Sequence, residues 1–134
     1  MQIEEKPAFE TPYEWIGGDA AVKSLVERFY DLMDLEPGYA ALRATHGSDL
    51  ANARQRLYWF LTGWLGGPQL YTDRFGHPML RARHLPFVIG IRERDQWIAC
   101  MGQAMADTGV PTDMRDRLAA SFFQTDDWMR NVNV

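Results

Sequence analysis

His46, His77 and His84 are the three imidazoles of the 134-residue chain, and Cys100 is its single thiol. His84 follows Arg81 and Arg83 closely and precedes Leu85-Pro86-Phe87. A histidine on a very short helix, with cations beside it and a proline-aromatic pair after it, suits axial ligation of a haem iron. The imidazole is then the fifth ligand, and the guanidinium groups meet the propionates through charge-assisted hydrogen bonds. A lone histidine is more often a plain structural residue, and that alternative stands beside the first. Tyr30 and Trp97 lie on apolar stripes of two different helices, each with a polar atom that needs a partner when buried. His46 falls at the end of a short helical piece. Together the three could offer hydrogen bonds to a diatomic ligand on iron.

Other chemistries find little support. There is no HExxH, and no glycine-rich loop leads from a strand into a helix, so phosphate cradling is excluded. Glu4-Glu5 and Asp126-Asp127 lie near the termini and suit solvated faces. One cysteine allows no intramolecular disulfide, no CxxC knuckle and no CxxCH haem attachment. Cys100 shares a helical face with Trp97 and Met101, the setting of a buried, inert thiol. A mononuclear metal site made of His46, His77 and His84 lacks a carboxylate at ligand spacing.

The elements that must position these residues are helical. Residues 1–18, with Pro7, Pro12 and Gly17-Gly18, predict an irregular arm with one short turn, and Asp19 stands where an N-cap should. Val22, Leu25, Val26, Phe29, Tyr30 and Met33 then recur with the helical period until Pro37-Gly38. A short piece over 39–45 follows. From Leu50, the stripe Ala53, Leu57, Phe60, Leu61 and Trp64 runs to Gly66-Gly67-Pro68, a helix-ending string. Residues 69–80 predict a loop with at most a turn or two of helix, and 80–85 a short helix closed by Pro86. A longer helix over about 92–108 should bury Trp97, Ile98, Met101, Ala104 and Met105. Thr112 is expected to cap a last one over 113–124 or beyond, with Met114, Leu118, Phe122 and Phe123 inward. Nothing alternates with period two, so the fold class is all-α, with five or six helices and one long mid-chain loop.

Fourteen basic and eighteen acidic residues give a net charge of -4, which argues against a binder of nucleic-acid backbones. The start lacks the basic and apolar regions of a signal peptide, and no window spans a membrane, so a cytoplasmic protein is expected. Five Trp, five Tyr and seven Phe suit a large apolar cavity, or an unusually aromatic core.

Taken in order, Phe29-Tyr30, the run from Phe60 to Pro68, Tyr71, Gly76-His77-Pro78, the run from Leu80 to Phe87, and Glu93-Arg94-Asp95-Gln96-Trp97 through Cys100-Met101 resemble the bacterial group II truncated haemoglobins. The resemblance covers about residues 14–130. It implies a two-over-two helical sandwich, with a long loop before a short proximal helix, and non-covalent haem b. On it, the domain is 19–130, after the arm of 1–18 and before a tail of 131–134. The resemblance makes His84 the proximal iron ligand, Trp97 and Tyr30 the distal donors, and Ala53 and Leu57 the two distal positions of the helix over the haem. His46 matches a corner where the family carries phenylalanine, tyrosine or histidine. Arg83 and Tyr71 are the expected propionate contacts, then Arg81. His77 shapes the loop or touches a propionate, and Phe87 lines the haem.

The function so implied is reversible binding of O2 and other small ligands: CO, NO, sulfide or peroxide. Three donors around one ligand slow its escape, which suits peroxide or nitrogen-oxide chemistry, fed by an external reductant, better than storage. A monomer or weak dimer is expected. The alternative is a haem-free helical ligand-binding or interaction module that kept only the packing.

Overall fold

Helix-forming runs separated by proline and glycine set the order of elements. The computed structural model describes residues 11–47, 49–76 and 90–129. Helix α1 is Pro12–Ile16, α2 is Asp19–Leu35, and a 3-10 turn, Pro37–Tyr39, leads into α3, Ala40–Ala44. After the corner come α4, Ala51–Trp64, and α5, Leu70–Phe75; then α6, Ile91–Asp107, and α7, Thr112–Met129. No strand occurs among the described residues. The expected short helix over 80–85 lies outside them.

Helix α2 lies against both α4 and α6, and α6 against α7, while α3 braces α6 from the side. The whole expected stripe of α2 is buried, together with Leu32. Fully burying each such aliphatic or aromatic side chain stabilises the fold by roughly 1.5–3 kcal/mol. Met101, Ala104 and Met105 of α6 and Met114, Leu118 and Phe122 of α7 complete the core. Thr62, the buried polar residue of α4, donates its hydroxyl to the Tyr58 carbonyl at 2.8 Å.

Three expectations change. Gly18 takes the N-cap position of α2, so Asp19 falls in its first turn, where its carboxylate accepts the Tyr58 hydroxyl and lies 3.4 Å from Lys23. Thr112 opens α7 rather than preceding it, and its hydroxyl accepts from Arg115 at 2.8 Å. Phe123 is exposed, one helical step round from the 114–118–122 face, and lies beneath the Arg94 guanidinium at 4.6 Å.

Two backbone features shape the chain reversals. Gly109 ends α6 with φ +85°, a conformation that suits glycine. At Gly67 a Cβ would lie 2.7 Å from the Tyr13 ring, so the absent side chain is what lets α1 lie on the turn after α4. The Tyr13 amide seals that contact by donating to the Leu65 carbonyl at 2.9 Å.

Candidate functional site

Consecutive residues of α2 start the site. Phe29 is fully buried and meets the Tyr30 ring edge-on at 5.0 Å and the Trp97 ring at 5.2 Å. Tyr30, 5% exposed, also stands edge-on to His46 at 5.9 Å. Phe122 continues the chain of rings, 5.2 Å from Trp97 and stacked on Trp64 at 4.8 Å. Four helices and a corner thus meet at one aromatic cluster. Burial pushes the Tyr30 hydroxyl well above the usual phenol range, so it stays a neutral O–H donor; Arg54 pulls against that rise. The tyrosine ring carries the Arg54 guanidinium 5.8 Å from its centroid.

The corner after α3 is tied down on both sides. Gln96, next to Trp97, accepts the Leu42 amide at 2.9 Å, and the Tyr39 hydroxyl donates to Gln103 at 2.6 Å. Arg43 binds Asp34 at 3.0 Å and donates to the Gly47 carbonyl at 2.7 Å. The Thr45 hydroxyl gives its proton to the Leu42 carbonyl at 2.7 Å. His46 Nδ1 lies 3.1 Å from that hydroxyl oxygen and 3.2 Å from the same carbonyl, both of which are then acceptors. With the Thr45 hydroxyl proton committed to the Leu42 carbonyl, the geometry assigns a proton to His46 Nδ1.

Helix α4 supplies a wall. Ala53, Leu57, Phe60 and Trp64 recur at i, i+4, i+7 and i+11, on one face, and all four are only half-buried. Trp97 and Ile98 of α6 are half-buried in the same way, whereas their neighbours Cys100 and Met101 are sealed. Tyr71 of α5 is buried edge-on to Phe60 at 6.3 Å. Protein atoms alone leave this apolar surface partly uncovered.

The bacterial-like globin family model matches residues 11–131. The chain belongs to that family. Within it, the chain is a group II truncated haemoglobin: it is 42% identical over 111 residues to the group 2 truncated haemoglobin YjbI of Bacillus subtilis, covering 83% of this chain and 81% of the relative. It superposes on the group II 2-on-2 haemoglobin of Agrobacterium tumefaciens with a TM-score of 0.88 and 43% identity, over 94% of this chain and 98% of that one. The group II truncated haemoglobin of Bacillus anthracis gives 0.87 and 40%, over 94% and 100%.

This globin is therefore a two-over-two helical sandwich that binds haem b without a covalent link and takes O2 at the iron. The described residues fit such a group. A large, flat, mostly apolar cofactor needs a half-covered apolar wall, which Ala53, Leu57, Phe60, Trp64 and Ile98 supply. The haem-free alternative is not favoured. Of the sequence-derived candidates, the globin fold sets Tyr30 and Trp97 against Phe29 and His46 against Tyr30, and puts Ala53 and Leu57 on one half-buried face of α4. Tyr71 is in place beside Phe60. His77, Arg81, His84, Arg83 and Phe87 lie outside the described residues. Sequence reasoning missed Arg54, Gln96 and the Trp64–Phe122 stack. Glu27 and Asp31, flanking Tyr30 at helical spacing, were a sign that a cation would come to this face; which one depends on how α4 crosses α2. Among the described residues no helix is long and apolar enough to cross a membrane.

Proposed function

We propose that this globin holds a small ligand between the Tyr30 hydroxyl and the Trp97 indole N–H, with the haem fixed from the other side by His84. Haem, when bound, supplies the iron on which O2, CO or NO is taken. The observation that carries the reading is Tyr30. Its phenol is buried among Phe29, His46 and Arg54, and among the described residues its hydroxyl has no hydrogen-bond partner. A ligand that accepts this bond gives the hydroxyl a partner inside the protein, a gain of about 0.5–1.5 kcal/mol for a typical net hydrogen bond.

Ala53 puts no polar side chain over the haem, so polarity on this side comes from α2, the corner and α6. His46 closes the corner against the Tyr30 ring, its Nδ1 engaged with Leu42 and Thr45. Leu57 and Phe60 keep bulk water away from the ligand, which strengthens each remaining hydrogen bond. Arg81, Arg83, Tyr71 and His77 meet the propionates, and Phe87 packs on the ring. An arrangement with two strong donors retains its ligand and favours peroxide or nitrogen-oxide chemistry fed by an external reductant over simple carriage. That chemistry, a monomeric or weakly dimeric state and a cytoplasmic location complete the reading.

Two measurements test it. Purified His84→Ala protein should lose haem or hold it loosely, seen as a diminished Soret band; a full complement with an unchanged histidine-ligated spectrum refutes the proximal assignment. Tyr30→Phe should alter the O2 dissociation rate, and an identical rate removes Tyr30 from the ligand.

A further inference from the structure

We propose that Arg54 is a positioning residue for Tyr30, a cation that α2 itself holds over the phenol so that the hydroxyl stays aimed and polarised. The proposal rests on the reading of Tyr30 as a ligand donor.

Arg54 follows Ala53 on α4, but its side chain turns back to α2. One Nη donates to the Glu27 carboxylate and also reaches the Glu27 carbonyl at 3.3 Å; the other donates to Asp31 at 2.9 Å. Glu27 and Asp31 are one helical turn apart and bracket Tyr30 in sequence, so the two carboxylates fix the guanidinium above that stretch of α2. Its central carbon then lies 5.8 Å from the centroid of the Tyr30 ring, within the reach of a cation–π contact.

A mere tie between helices needs no such placement. With the Arg54 side chain 24% exposed, these ion pairs add little stability by themselves. Their geometric effect is larger, because a fork gripped at two points has little freedom to swing away. Phe29 and His46 touch the tyrosine ring edge-on. Arg54 adds the contact with a formal charge. A positive charge there stabilises electron density on the phenol, which makes the hydroxyl a stronger hydrogen-bond donor. The same charge opposes the upward push that burial gives the Tyr30 proton affinity.

The test uses the haem-loaded protein and compares wild type with Arg54→Met, Arg54→Lys, Tyr30→Phe and the Tyr30→Phe/Arg54→Met double variant. Arg54→Met is expected to raise the O2 dissociation rate about threefold, the scale of one partly exposed cation–π contact. It should also move the CO stretching frequency upward, toward that of Tyr30→Phe. Arg54→Lys should recover part of both changes, and Arg54→Met should do nothing more in the Tyr30→Phe background. In protein carrying ring-labelled tyrosine, Tyr30 ring flips should quicken in Arg54→Met, a readout independent of ligand kinetics. If Arg54→Met is too unstable to load, Glu27→Gln with Asp31→Asn frees the guanidinium and should shift the CO band the same way. A lower melting temperature with an unmoved CO band would overturn the proposal and leave a simple helix tie. So would an equal effect of Arg54→Met with and without the Tyr30 hydroxyl. If Tyr30→Phe is itself silent, the donor reading of Tyr30 falls first and this assignment falls with it, so the two failures are distinguishable.

Discussion

Trp97 is a packing residue that, on the proposed reading, is also a ligand donor. Its ring is wedged between Phe29 and Phe122, at 5.2 Å from each, yet the residue is only half-buried. Trp97→Phe keeps most of the ring contact and removes the N–H. Loss of a buried hydrogen bond is worth roughly 1–3 kcal/mol, so O2 dissociation is expected to accelerate about tenfold or more. Stopped-flow displacement of O2 by CO measures it, and an unchanged rate would make Trp97 a packing residue alone. Cys100, one turn further along, is its opposite in character. It is fully buried, its thiol donates to the Phe29 carbonyl at 3.3 Å, and burial pushes its pKa up to about 12, as expected for an inert thiol.

At the scale of elements, two glycines separate what packing demands from what helices tolerate. Gly67 lies under the Tyr13 ring, where even a methyl group would be 2.7 Å from ring carbon. Gly67→Ala must push α1 off the end of α4, at a cost of about 1–3 kcal/mol typical of overpacking. Gly102 sits inside α6 with nothing within 4 Å of where a Cβ would stand. Gly102→Ala gains helix propensity without a clash and should stabilise by about 0.5–1 kcal/mol. Urea titrations of the two variants should thus move in opposite directions; equal shifts would contradict the packing of α1. Helix α6 needs no such relief at its start, where Glu93 accepts the Gly90 amide at 2.9 Å and satisfies an otherwise unpaired donor.

At the scale of the whole molecule, two acids held protonated in the interior among the described residues contribute to its alkaline behaviour. The Cys100 thiol and the Tyr30 hydroxyl both have folded pKa values raised by burial. For a raised pKa the contribution to stability is complete below the unfolded value and is lost as pH climbs toward the folded one. An unfolded thiol titrates near pH 8.5 and an unfolded phenol near 10. Unfolding free energy should therefore be insensitive to these groups up to about pH 8.5. Above that it should fall by up to about 1.4 kcal/mol per pH unit for each group deprotonated only on unfolding. Urea unfolding from pH 7 to 10.5 checks this, and Cys100→Ala should flatten the first part of the decline; a decline of wild-type steepness in Cys100→Ala would place the thiol in water. Much of this architecture was legible in order along the chain. Apolar residues at a spacing of three and four define α2, α6 and α7, because a helix has one face to bury, and Gly-Pro strings mark where helices stop. The motifs also named Tyr30, Trp97, Ala53 and Leu57 by type and place. Tertiary structure decided what each of those residues meets. The half-covered stripe of α4 reads in sequence like any core face, since period gives direction but not what lies opposite. That Arg54 crosses to Glu27 and Asp31 and lies over Tyr30 depends on the approach of α4 to α2 across 23 or more residues of chain. The proton on His46 Nδ1 likewise follows from the turn after α3, where backbone geometry brings one carbonyl and one hydroxyl to the same nitrogen.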